Sequence, residues 1–169
     1  MSWRENMMMQ MTKGYAMLFG LCCLMSSLES VHAADVVKTG DAIPSLSLTN
    51  QHDQAVTIPT DTQRLVLAAD NGGSGLLTSF LDTQPPTWLA DHHTVYLADI
   101  HKMPSFVAKM FALPSLREKK YSIALGREEA DLAMFPRQKG CVTLLPVVES
   151  KVGEIEFLCT DETMTSRFK

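Results

Sequence analysis

Two short apolar runs constrain the fold of this chain more than any other feature. Leu65-Val66-Leu67-Ala68-Ala69 contains no polar residue, and Thr94-Val95-Tyr96-Leu97-Ala98 is nearly as apolar. A strand with one wet face alternates, whereas a run apolar at every position belongs to a central strand covered on both faces. After the first run, Asp70-Asn71-Gly72-Gly73-Ser74-Gly75 opens into Leu76, Leu77, Phe80 and Leu81, which recur at helical spacing. After the second, Pro104 suits the first turn of a helix. Phe106, Val107, Met110 and Phe111 are the expected core anchors of that helix, and with Met103 they read as core rather than as a binding groove. Strand and helix in alternation predict parallel pairing and an α/β domain.

The flanking segments add antiparallel pieces. Leu46 and Leu48 alternate with Ser47 and Thr49, Asn50 to Gln54 is turn chemistry, and Ala55 to Ile58 resumes the extended pattern, which predicts a hairpin. Leu113-Pro114 is expected to interrupt the helix, with one more turn over Leu116 to Lys120. Tyr121 to Leu125 reads as a strand and Arg127 to Met134 as a short helix. Residues 142–148 and 154–158 read as a terminal hairpin turning across Ser150-Lys151-Val152-Gly153, and a last helix should turn Met164 and Phe168 inward.

The N-terminus reads as a secretory signal peptide over residues 1–33. Arg4 and Lys13 supply positive charge, Tyr15 to Leu28 is largely apolar, and Val31-His32-Ala33 places short side chains where a signal peptidase accepts them. Cleavage between Ala33 and Ala34 leaves one domain over residues 34–169 and no stable membrane span, because the apolar stretch is short for a bilayer. Cys22-Cys23 is apolar filler within that stretch. The expected location is therefore the periplasm or the medium.

Hydrophobic residues make up 46% and charged residues 20% of the 169, a globular balance. Arg4 and Lys13 offset Glu5 and Glu29, so the net charge of −4 survives cleavage. With scattered bases and that sign, nucleic acid is excluded as the natural partner. Two cysteines remain, Cys141 and Cys159, an even pair for an oxidising compartment.

This order of elements resembles the thioredoxin-like fold, in its exported redoxin and peroxiredoxin-like branch. Gly40-Asp41-Ala42-Ile43-Pro44 with Leu46 and Leu48 is similar to the lead-in of those proteins. Val95-Tyr96-Leu97-Ala98-Asp99 is similar to their second core strand, residues 103–113 to the helix after it, and Gly140-Cys141-Val142-Thr143-Leu144-Leu145 to their cis-proline strand. The resemblance implies a three-layer α/β sandwich, a mixed central sheet flanked by helices. It also implies where chemistry would sit. Family enzymes carry Cys-x-x-Cys, or one peroxidatic Cys, where the first core strand meets its helix, because a helix N-terminus favours the thiolate. The matching stretch here, Asn71-Gly72-Gly73-Ser74-Gly75, has no sulfur. The family's cis-proline falls at Val142, and a cis bond before a non-proline residue costs about 2.5–4 kcal/mol, so a trans peptide is expected there. The expectation is a binding or accessory module without a dithiol site, whose partner is an unidentified protein or small-molecule ligand, contacted at Asn71, Gly72, Gly73, Ser74, Gly75 and Val142. The alternative is an atypical thiol-disulfide oxidoreductase or peroxidase-like protein using Cys141 and Cys159.

Other residues carry weaker signals. Cys141 and Cys159 flank the terminal hairpin, and a structural bridge, two free buried thiols and a redox pair all remain open. Ser74 reads as a helix cap or turn residue rather than a nucleophile or anion cradle, since Gly-Gly-Ser-Gly is neither a P-loop nor a nucleophile elbow. His92, His93 and His101, with Asp91 and Asp99, are the only cluster of candidate metal ligands in the sequence, and their spacing matches no zinc motif. Asp99 is either a solvated strand-end acid or a partner for His101. No cofactor motif is present.

Overall fold

The computed structural model describes residues 35–168. The expected signal peptide, the Ala33–Ala34 cleavage point and Cys22-Cys23 lie outside the described residues.

Both apolar runs are central strands. β1 (Leu48–Asn50) and β2 (Ala55–Val56) form the first hairpin, and β3 (Arg64–Ala68) and β4 (Thr94–Asp99) pair in parallel. Between them run α1 (Asn71–Asp82) and the short α2 (Trp88–Asp91). β4 leads into α3 (Ser105–Val107), a π-helical stretch (Ala108–Ala112) and α4 (Leu113–Arg117), then β5 (Ala124–Gly126) and α5 (Glu129–Leu132). The chain ends with β6 (Val142–Val148), β7 (Lys151–Val152), β8 (Glu156–Leu158) and α6 (Asp161–Phe168). The sheet order is β2-β1-β5-β4-β3-β6-β7, with β8 also paired to β6. β3, β4 and β5 are parallel, and β6 is antiparallel to β3.

Alternation along the strands divides the core into two layers. Val66, Ala68, Tyr96, Ala98 and Leu144 face one side, where Leu77 and Leu81 of α1, Trp88, Leu113, Met164 and Phe168 cover them. Leu65, Leu67, Leu97 and Leu145 face the other, under Leu132 of α5, Phe135 and the lead-in residue Val37. Trp88 meets Phe80 at 5.2 Å and Phe168 at 5.4 Å between ring centroids, edge to face, so α1, α2 and α6 share one aromatic knot.

Several local expectations need correction. Phe106, Val107, Met110 and Phe111 do not anchor their helix: all four are exposed, and Leu113 and Leu116 hold it to the sheet instead. Pro114 does not interrupt the helix. It follows directly on a π-helical stretch, and that wider turn is where a residue without an N–H is taken into a continuous helical segment. The strand after Tyr121 shortens to β5 because residues 121–123 serve another purpose: Gln51, itself buried, donates Nε2–H to the Tyr121 carbonyl at 2.7 Å and accepts from the Ile123 amide at 2.9 Å. The terminal turn falls at Glu149-Ser150, where both residues have positive φ (51° and 63°) as a two-residue hairpin requires.

Candidate functional site

The parallel strands end in two acids, and everything at this end of the sheet is organised around them. Asp70 follows β3 and caps α1. One carboxylate oxygen accepts the Gly73 amide at 2.9 Å, and the other accepts the Gly140 amide at 2.7 Å. The Gly140 bond, then the Gly73 bond, hold the Asp70 carboxyl below its ordinary value. The cap ties the start of α1 to the loop that enters β6. That loop comes so close that a Cβ on Gly73 would collide with the Cys141 carbonyl oxygen, and one on Gly72 would lie 2.9 Å from the Gly140 Cα. Glycine at 72 and 73 is what permits the approach.

Asp99 ends β4, with its side chain 2% exposed. It accepts Nδ1–H of His101 at 2.6 Å and Nη1–H of Arg137 at 2.7 Å, while Arg137 also donates to the Leu132 carbonyl at 2.6 Å. Of the two readings of Asp99, the paired one is correct. Beside Asp70 opens a surface cavity of about 560 Å³, lined by Asp70, Asn71, Gly72, Lys102, Arg137 and Lys139 among others. A second, of about 150 Å³, reaches Ser74, Asp99 and Met103. Both carboxylates are engaged with donors, so Lys102 and Lys139 are the charged groups here without an ion-pair partner among the described residues. The arrangement suits an acceptor-rich group entering between them.

The predicted site residues separate. Asn71 and Gly72 line the larger cavity, and Ser74 lines the smaller. Gly73 is buried against Cys141, Gly75 faces open space, and Val142 is fully buried in the sheet, where it supports the site rather than lining it. Ser74 is not the helix cap: the helix begins at Asn71 with Asp70 as cap, because Asp reaches the third amide on. The Ser74 hydroxyl lies 3.5 Å from the Tyr96 phenol oxygen, with no base within hydrogen-bond reach among the described residues. Burial pushes the Tyr96 phenol up, so it stays a neutral hydroxyl.

The histidines do not meet. His92 and His93 precede β4 and His101 follows it, a strand length of roughly 20 Å away. His92 stacks on Trp88 at 4.2 Å, with Nδ1 2.8 Å from the Trp88 carbonyl, and His93 lies 2.8 Å from Asp61. No group of three metal-ligating side chains comes together among the described residues. Cys141 and Cys159 are joined in a disulfide between β6 and β8, one step beyond the Val142–Leu158 pair. Cys141 is buried, Cys159 is exposed, and Gln138 Nε2–H approaches the Cys159 sulfur at 3.6 Å.

Lys102, Arg137 and Lys139 were missed as site residues in the sequence. The available signal was their adjacency: Arg137 and Lys139 immediately precede Gly140-Cys141, which the resemblance had already placed beside the helix start.

No family model and no curated protein matches the sequence. Solved structures do match. Similar folds include a protein assigned as the thiol:disulfide interchange protein DsbE from Chlorobium tepidum, at 12% identity and a TM-score of 0.55 over 78% of this chain and 94% of that one. Another is peroxidoxin BcpB from Mycobacterium tuberculosis, at 17% identity and 0.52 over 78% and 94%. A third is a protein assigned as a protein disulfide isomerase from Bacteroides thetaiotaomicron, at 17% identity and 0.53 over 79% and 87%. The mixed sheet, its crossover helices and these likenesses together establish that the chain adopts a thioredoxin-like α/β fold.

Proposed function

We propose that this protein is an exported thioredoxin-like binding module, in which the end of the sheet around Asp70 and Asp99 receives a protein or small-molecule ligand instead of performing thiol exchange at the helix start. The observation that carries this reading is the Asp70 cap. A thiolate at a helix N-terminus is stabilised by free amides and nearby positive charge. Here a carboxylate already takes the Gly73 and Gly140 amides, and the close approach of Cys141 leaves no room for a side chain at position 73. A second negative charge placed there would be repelled. Lys102 and Lys139 beside the cavity favour a carboxylate-bearing or otherwise anionic group on the partner.

The test has two arms. Disulfide-reductase and peroxidase turnover should be absent from the parent and from a Cys141→Ser/Cys159→Ser variant alike. A photo-crosslinker at Lys102 should capture a component of the export compartment that the same probe at Asp61 does not. Turnover present in the parent and abolished in the double variant ends the binding-module reading. One observation favours a second reading, an atypical thiol-disulfide oxidoreductase: the exposed Cys159 sulfur is open to attack by a partner thiolate, with buried Cys141 as the leaving sulfur next to the helix start. The turnover arm decides between the two.

A further inference from the structure

We propose that residues 104–116 form a membrane-contact surface, in which Phe106, Met110 and Phe111 enter the headgroup boundary of a bilayer with anionic lipids while Lys102 and Lys109 lie against its phosphates. Phe106 is 67% exposed, Phe111 66% and Met110 57%, the largest such grouping among the described residues. Residues four apart share a helix face. In the π-helical stretch the hydrogen bond spans five residues, which draws Phe111 nearer the line of Phe106 than an α-turn would. Leu113 and Leu116 pack the opposite side onto the core. The element is thus apolar on both faces, a pattern that belongs to a covered helix, yet its outer face is bare.

Charge indicates what covers it. Lys102, Lys109, Arg117, Lys119 and Lys120 stand within one short segment against a single acid there, Glu118, in a chain whose net charge is −4. Arg117 and Lys119 are tied to Asp53 and Asp82, while Lys102 and Lys109 are exposed and have no ion-pair partner among the described residues. Aromatic side chains on a helix face edged by lysines fit an interfacial helix, with apolar burial and anionic lipid attraction acting together.

Amide hydrogen exchange on the full chain tests this locally, so lipid contact elsewhere in the chain does not mimic the result. With phosphatidylcholine–phosphatidylglycerol vesicles, exchange over 104–116 should slow; with phosphatidylcholine alone it should not. Phe106→Ser/Phe111→Ser should abolish the slowing. Lys109→Glu, at the lysine outside the cavity beside Asp70, should weaken partitioning on the order of tenfold, and added salt should weaken it too. Phe106, Lys109 and Phe111 are all exposed, so both variants should keep the parent's circular dichroism and thermal midpoint. Equal slowing on neutral vesicles overturns the proposal. So does slowing that survives the phenylalanine substitutions, or slowing that appears with protein concentration alone, which would assign the face to a second copy of the chain.

Discussion

Asp70 does more for this end of the molecule than any other side chain. Its two bonds join elements far apart in sequence, the start of α1 and the loop before β6. The pH dependence follows from its depressed titration. The unfolded chain takes up a proton near the ordinary value of 3.8, whereas the folded chain resists until lower pH. Asp70 therefore stabilises the fold above that ordinary value, and the stabilisation fades as pH falls through the depressed folded value. Asp70→Asn keeps one acceptor for the Gly73 amide but leaves the Gly140 amide without its partner. It should cost about 1–3 kcal/mol at neutral pH, and its urea midpoint should converge on that of the parent in strong acid. A gap that stays constant between pH 7 and pH 2 contradicts this. In the sequence Ser74 reads as a cap or turn residue because serine is a good helix cap, whereas the cap is Asp70. Nothing in the local pattern shows that the amide needing a partner is Gly73, or that Gly140 would come within reach.

At the level of elements, the last hairpin shows how far pattern carries. Both β6 and a second strand ending at Leu158 follow from alternation, and the inward Met164 and Phe168 of α6 from helical spacing. The register that pairs Cys141 with Cys159 depends on where the turn falls, which spacing leaves open. The turn was misplaced by about two residues, because Glu149 and Ser150 take positive φ without a glycine to announce it. The helical segment after β4 departs further from its sequence pattern. Phe106, Val107, Met110 and Phe111 have core spacing, and spacing cannot say whether a face meets the sheet or open solvent; Leu113 and Leu116 take the sheet here. The disulfide carries an element-scale prediction. It closes a separation of 18 residues, for which chain entropy gives about 3 kcal/mol. The Cys141→Ser/Cys159→Ser variant should lose about that much in denaturant titration while keeping its far-ultraviolet circular dichroism. Loss of the folded baseline would mean that the bridge is essential to folding; an unchanged midpoint would mean that it is idle.

Across the whole molecule, the two apolar runs point to the central strands, because full burial on both faces leaves few alternatives. The thioredoxin-like fold follows only from the resemblance of the whole order of elements. The site was legible only in part. Asn71, Gly72 and Ser74 follow from the strand-to-helix pattern and line the two cavities, but the cations around them arrive from loops after β4 and after α5, where no periodicity marks them. Two tyrosines report on the integrity of the core between the sheet and α1. Tyr96 is raised by burial, and Tyr121 by burial and then by the Asp82 charge. Both should remain un-ionised in the folded chain past the ordinary value of 10, while the unfolded chain ionises there, so stability should fall as pH rises beyond about 10. Phenolate absorbance should then appear together with loss of circular dichroism. Ionisation of Tyr96 and Tyr121 near pH 10 in a still-folded chain contradicts this account.

The place of β3 between β4 and β6 has a consequence for how the polypeptide is made. One flank of β3 is satisfied by a neighbour that follows soon after it, but the other waits for residues 142–146, most of the domain later. A chain emerging in order therefore carries the unpaired edge of a largely apolar strand until residues 142–146 have followed. During that interval the open side of β3 is a template on which another chain can pair.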